Sequence, residues 1–292
     1  MLAQQIINGL ALGSTYALTA IGYTLVFGIL ELVNFSHGAV YMSGTFFTLL
    51  LWRSLHLPLP GALLLGILVT GLLGLAIDKA ALRPLRNRQA PKVAALVSTI
   101  GISMILQNAV QLPAGSQTQS FPQLIPLRIL QFGNVRVTTL QIFMLAASVT
   151  LMGLLLWFIQ KSKTGKAMRA TAQNMEAARL MGINVARVIG ITFFIGSALA
   201  AVAGVMVGMY YQSADAGMGF MAGLKAFSAA VLGGIGILPG AMLGGLLLGM
   251  TEMMAGAYLH SGLRDAVAFA VLILVLLIKP TGLLGKPEQT KV

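Results

Sequence analysis

The sequence predicts an all-α polytopic membrane protein. About nine transmembrane or half-membrane helices (8–10) are expected, with the N-terminus outside and the C-terminus in the cytoplasm. Three observations carry this expectation. Apolar residues make up 57% of the 292-residue chain. Charged residues make up only 9%, against roughly 25% in an ordinary soluble domain. Apolar runs recur at the length of about 20 helical residues that crosses a hydrocarbon core, and mean hydropathy is +0.88. The short alternating segments of a membrane β-barrel are not seen.

Taken in order, the apolar segments fall at 5–29, 35–52, 61–82, 93–112, 138–160, 188–211, 219–235, 240–258 and 262–279. The first carries no Lys or Arg before it and no small-residue cleavage site after it, so it reads as a retained helix. Between the first two lies Glu31-Leu32-Val33-Asn34-Phe35-Ser36-His37-Gly38, a turn in which His37 reads as hydrogen-bonded structure. The third segment ends near Asp78 and Lys79, read as a structural pair with Lys79 snorkelling to the interface. The stretch 113–137 is a polar loop. Segments 219–235 and 240–258 together are too long for one crossing and short for two. The glycine-rich turn at 233–240 separates them. Half-helices or a re-entrant hairpin are the expected forms, with the broken backbone buried in protein or lining a cavity. The last segment opens on Arg264 and Asp265, read as interfacial. With no cysteine there is no disulfide or thiolate metal site. Pro-rich, Ser-rich and repeated stretches are also absent, so a single membrane domain over 1–292 is expected.

The net charge of +12 raises the question of nucleic acid, and the placement of the charges answers it. Basic residues cluster at Lys79, Arg83, Arg86, Arg88 and Lys92, then at Lys161, Lys163, Lys166, Arg169, Arg179 and Arg187. A third group is Lys279, Lys286 and Lys291. The positive-inside rule puts all three in the cytoplasm, which closes a nine-crossing scheme. The basic balance therefore reflects topology, and no nucleic-acid partner is expected.

Glycine is abundant, at 34 residues. Small-xxx-small spacings recur at Gly9/Gly13, Gly204/Gly208, Gly240/Gly244 and Gly245/Gly249. They suit either plain bundle packing or helices that slide on one another. Ionisable groups inside the spans are few, and each costs about 2.5–3.5 kcal/mol at mid-membrane. Glu252 reads either as a bundle-facing structural acid or as part of a pathway. Lys225 is a candidate partner for it or for Asp215. Ser14, Thr15, Asn34, Ser98, Thr99, Gln107 and Asn108 are candidates to line a translocation path with Glu252. Their commoner role is interhelical hydrogen bonding.

No relay of acids and histidines threads several spans, as a proton-driven carrier would use, and no inverted repeat is evident. Nor is there an HExxH, a GxSxG or a Cys nucleophile. The nearest approach to a phosphate loop is QKSKTGKA at 160–167. It lacks both the opening Gly and the closing Ser or Thr, so this chain is expected to hydrolyse no ATP and to bind no cofactor.

The polar stretch 161–187, KSKTGKAMRATAQNMEAARLMGINVAR, stands apart between two apolar runs. Met168, Ala172, Met175 and Ala178 recur at helical steps as a small apolar stripe. Glu176 and Arg179 are spaced to pair at i, i+3. Gly182 suits a helix C′ position, and Asn184 suits the cap of the next helix. The segment reads as a surface helix on its own bundle or the lipid interface, or as a short helix that docks in a partner's groove.

Glu176-Ala177-Ala178 followed by Gly182 resembles the EAA-three-residues-Gly element of ABC importer permeases, although the usual Ile-x-Leu-Pro ending is replaced by VARVIGITFFIG. Segments 8–44, 165–184, 223–249 and 279–285 resemble the LivH-type permease of branched-chain amino acid importers. That resemblance covers nearly the whole chain. It implies a LivM-like second permease, two cytoplasmic ATPases of LivG and LivF type that carry ATP and Mg, and a periplasmic amino-acid-binding protein. It also implies residence in membrane lipid of the bacterial inner membrane. The implied substrates are leucine, isoleucine, valine or other apolar amino acids, with urea or short amides as the family's alternative. A stand-alone ion-coupled carrier is the rival from another class. Within the resemblance, Gly165, Met168, Arg169, Glu176, Ala177, Ala178 and Gly182 are the expected ATPase-coupling residues.

Overall fold

The computed structural model describes residues 2–123, 125–133 and 135–285; Lys286 and Lys291 of the third basic cluster lie outside them. All nine apolar segments form helices. They are α1 (Leu2–Leu30), α2 (Ser36–Ser54) and α3 (Leu59–Ile77), then α5 (Lys92–Ala114), α6 (Thr139–Lys161) and α9 (Val185–Tyr211). The last three are α10 (Met218–Gly233), α11 (Leu238–Tyr258) and α12 (Arg264–Ile278). Short helices intervene: α4 (Arg83–Asn87), α7 (Lys163–Gln173) and α8 (Met175–Leu180). Among the described residues, seven helices are long and apolar enough to cross a membrane. The apolar α10 has only 16 residues, and the 19-residue α2 is diluted by Ser36, His37, Ser43 and Thr45. Segments 219–235 and 240–258 are two separate helices. They form an antiparallel hairpin in which Gly233 lies against Gly240 and Gly244 against Ala229.

The loop expected at 113–137 holds strands. An antiparallel hairpin joins β2 (Ile129–Phe132) to β3 (Val135–Thr138). β1 (Gln119–Ser120) pairs with β4 (Ser213–Ala214) after α9. The hairpin is tied to the start of α1, where the Gln4 amide donates to the Arg136 carbonyl at 2.8 Å and accepts from its N–H at 2.8 Å.

α1 and α9 are the most enclosed of the seven long apolar helices, and α5 and α12 the least. The glycine spacings explain how two helices fit at the centre. Gly9 and Gly13 of α1 meet Gly245 and Gly249 of α11, so the two small-residue motifs are the halves of one crossing. A Cβ on Gly13 would lie 2.9 Å from the Gly245 carbonyl oxygen and from the Leu246 Cα. In lipid, where no hydrophobic force separates helix from tail, such backbone approach supplies the packing. Gly204 and Gly208 seat α9 against Tyr41 and Thr45 of α2 in the same way.

Residues Asp78–Leu82 form a π-turn that carries α3 into α4. Its Asp78 is buried and pairs with Arg86 at 2.6 Å rather than with the exposed Lys79. Among the described residues, the first two basic clusters and Lys279 of the third share one end of the bundle. Met175 and Arg179 of α8 bound a cleft with Leu82, Leu85 and Arg86. Lys92 pairs there with Glu31 at 2.9 Å. Leu283 and Leu284 donate their N–H groups to the carbonyls of Leu232 and Gly233, which places the stretch after Lys279 beside the α10–α11 turn. Gly236 of that turn lies next to Gly28 of α1.

Candidate functional site: the α7–α8 segment and a buried ion network

Two regions carry chemistry beyond packing. The first is the polar segment after α6. Ser162 ends α6 in an extended conformation, and its hydroxyl accepts the Gly165 N–H at 2.8 Å, starting α7 at once. Gly165 then packs on the carbonyls of Phe158 and Ile159, where a side chain would collide, so the chain folds back on α6. Arg169 reaches the Gln160 carbonyl at 3.3 Å, capping the α6 C-terminus.

The segment is two helices rather than one. Asn174 is extended (φ −158°, ψ 110°), and its side-chain oxygen accepts from the N–H groups of Glu176 at 3.0 Å and Ala177 at 2.9 Å. An Asn that bonds its own following backbone competes with the helix ladder, which is why α7 stops there. The break resets the helical phase. The buried side is Gly165, Met168, Thr171 and Ala178, with Met175 half-buried, whereas Ala172 of the expected stripe is exposed. Among the described residues no ion pair joins Glu176 and Arg179. The two capping expectations hold. Gly182 takes φ +79° with its N–H on the Arg179 carbonyl, and Asn184 accepts the Arg187 N–H at 3.0 Å to start α9. Glu176, Ala177, Leu180 and Met181 form an exposed knob, with Leu180 88% and Met181 83% exposed.

Replacing Asn174 by Ala removes the cap, at about 1 kcal/mol. The expected result is faster hydrogen exchange confined to Glu176–Leu180, with α6 and α9 unchanged. Equal protection of α8 in wild type and variant would show that the cap does not hold it.

The second region is a charge network inside the bundle. Lys225 of α10 pairs with Glu252 of α11 at 2.9 Å and with Asp265 of α12 at 2.7 Å. The Tyr16 hydroxyl of α1 donates to the other Glu252 oxygen at 2.9 Å and lies 3.4 Å from the Lys225 ammonium. Glu252 therefore has its partner on another helix. Asp215, the other candidate for Lys225, instead accepts the Gly217 N–H at 2.9 Å. Asp265 is not merely interfacial: it is 40% exposed but turns inward to Lys225. Four helices thus converge on one ammonium.

The remaining polar candidates fall in three places. Ser14 and Thr15 are buried in α1, and each hydroxyl donates at 2.7 Å to a carbonyl of the preceding turn, on Ala11 and Leu12. Asn34 and Thr99 meet at the start of α2. There the Asn34 side chain accepts from Ser36, and Thr99 accepts the Phe35 N–H at 3.2 Å. Ser98, Gln107 and Asn108 lie on α5, with Ser98 and Gln107 half-buried and Asn108 exposed, its amide on the Met104 carbonyl at 2.8 Å. His37 is buried with Nε2 3.2 Å from the Thr19 carbonyl, the structural role expected of it.

A bundle of helices, seven of them long and apolar enough to cross a membrane, with an ion network inside it, defines a multi-pass membrane protein. The model of the branched-chain amino acid transport system / permease component family matches residues 5–276, and the chain belongs to that family. It is 46% identical to the high-affinity branched-chain amino acid transport system permease protein BraD of Pseudomonas aeruginosa, over 99% of this chain and 97% of that one. It is 45% identical to the corresponding permease protein LivH of Escherichia coli strain K12, with the same coverage. The probable permease LivH of Methanocaldococcus jannaschii is 28% identical over 92% of this chain and 88% of its own length.

Proposed function

We propose that the chain is the LivH-type permease subunit of an importer for branched-chain amino acids, and that it is non-catalytic. The observation that carries this is near full-length identity of 45–46% to permease proteins of high-affinity branched-chain amino acid transport systems. It works as one membrane domain of the bacterial inner membrane, with α2 and α10 joining the seven long helices to make nine crossings. Its basic end faces the cytoplasm, as the clustering of Lys and Arg there favours. It binds no cofactor itself. LivG- and LivF-type ATPases hold ATP and Mg, a LivM-like permease completes the path, and a periplasmic binding protein delivers leucine, isoleucine or valine.

The α7–α8 segment is the docking element. Gly165, Met168 and Ala178 seat it on the bundle. Arg169 ties it to α6, Gly182 closes α8, and Glu176 and Ala177 face outward with Leu180 and Met181 toward the ATPase. ATP-driven closure of the ATPase pair pushes this element and rearranges the bundle. Ser98, Gln107 and Asn108 line the path on α5, one of the two least enclosed long helices, where the second permease closes it. Ser14, Thr15, Asn34, Thr99 and Glu252 support its wall from within.

The test is uptake of labelled leucine into liposomes. The complete five-component system should take up leucine only with internal or external ATP supplied on the ATPase side. Glu176→Arg with Gly182→Ala should abolish uptake and ATPase retention while the chain still inserts. Ion-gradient-driven uptake by this chain alone, or unimpaired coupling in the double variant, would overturn the reading.

A further inference from the structure

A cleft of about 540 Å³ opens between α3 and α9 at the basic end of the bundle. Its wall changes chemistry along its length. Leu72 and Leu75 of α3 and Ile191 and Phe194 of α9 line the part nearer mid-bundle. Lys79 and Arg83 follow one and two turns beyond Leu75, and Arg187 precedes Ile191 by one turn, so all three cations line the end away from mid-bundle. The π-turn at Asp78–Leu82 sits in this wall and sets the facing of Lys79 and Arg83. Such one-residue insertions recur at functional positions in helices. Gly190 lines the cleft without a side chain, beside the Leu75 Cδ1 methyl that a Cβ there would meet at 2.8 Å. The acid on the lining, Asp78, is already paired with Arg86 at 2.6 Å. Among the described residues Lys79, Arg83 and Arg187 form no ion pair. The apolar wall runs on into the exposed outer face of α3 at Leu64, Leu68 and Leu72.

We infer that this cleft binds an anionic phospholipid, its phosphate held by Lys79, Arg83 and Arg187 and the start of an acyl chain laid along Leu72, Leu75, Ile191 and Phe194. A free phosphate satisfies the cations and leaves the apolar wall unused. A zwitterionic lipid covers the wall but brings its own cation to three others. An anionic lipid satisfies both, and a basic pocket between helices at the membrane surface is the form such recognition takes. The volume lies within the roughly 300–1,000 Å³ of small-molecule sites. The site stands apart from substrate transport and does not depend on which solute is carried.

The full chain in neutral detergent is titrated with dioctanoyl phosphatidylglycerol, dioctanoyl phosphatidylcholine and glycerol 3-phosphate, with bound ligand read by native mass spectrometry. Phosphatidylglycerol should bind at least about tenfold more tightly than phosphatidylcholine, and glycerol 3-phosphate should not displace it. Lys79→Gln, Arg83→Gln and Arg187→Gln should each weaken it about fivefold. Gly190→Leu should abolish it with every charge retained. Lys161→Gln, Lys163→Gln and Lys166→Gln together should change nothing. Circular dichroism and size-exclusion chromatography establish that each variant is folded, and the single substitutions decide if a combined one is not. Unchanged lipid preference after removal of the three cleft cations overturns the proposal. So does displacement by glycerol 3-phosphate, which would make the ligand a soluble phosphate, or full binding by Gly190→Leu.

Discussion

Lys225→Met should destabilise the folded chain by about 3–5 kcal/mol, because it strands a buried carboxylate. In the native chain Glu252 is held by Lys225 at 2.9 Å and by the Tyr16 hydroxyl at 2.9 Å, with only 4% of its side chain exposed. Removing the ammonium leaves one neutral donor on a charged, desolvated group, and it also releases Asp265. The partner substitution gives the sharper result. Lys225→Met combined with Glu252→Met replaces the pair by apolar side chains of similar length. Such replacements are often neutral or stabilising, so the double variant should recover most of the loss. The check is a denaturing titration in mixed micelles followed by far-UV circular dichroism. A double variant as unstable as the single one would mean that the carboxylate is not what the lysine neutralises. Leucine uptake by the stable double variant then separates packing from passage: retained uptake makes the network a fastener, and lost uptake places it on the route.

Gly13→Ala should cost about 1–3 kcal/mol, and Gly13→Leu more, by forcing α1 and α11 apart. The atoms a Cβ would meet are backbone, the Gly245 carbonyl oxygen and Leu246 Cα, both at 2.9 Å, and backbone cannot swing aside as a side chain can. The control lies on α6. Gly153 has nothing within 4 Å of a Cβ, so Gly153→Ala should raise stability by up to about 1 kcal/mol through helix propensity alone. The same titration compares the two. A Gly13→Ala variant as stable as Gly153→Ala would deny that the α1–α11 contact is tight.

The positions of the nine helices were legible because hydropathy over about 20 residues is a local property. Partnership was not. Gly9/Gly13 and Gly245/Gly249 could be seen as contact motifs, yet nothing local says that they face each other. Glu252 stood out as a costly charge, and Lys225 was among its candidate partners. Asp265 was misjudged, because its place at a helix start hid its inward turn. Two misses had signals on the page. Asn174 two residues before Glu176 is a helix-start pattern, masked in the sequence by the continuous apolar steps around it. Val135, Val137 and Thr138 are β-branched residues of the kind strands favour. Within the polar segment, the Gly182 and Asn184 caps were readable because each depends on a single residue's geometry. The cleft between α3 and α9 was not, since it needs the two helices side by side.

The glycine crossing also sets a timetable for assembly. Gly13 and Gly245 are separated by 232 positions, and chains emerge at about 5–20 residues per second, so α1 waits roughly 10–50 s for its closest neighbour. During that interval α1, the most enclosed of the seven long apolar helices, lies with its small-residue groove open toward the place α11 will fill. A chain interrupted before α11 leaves that groove unfilled, with Gly9 and Gly13 lacking the backbone they pack against.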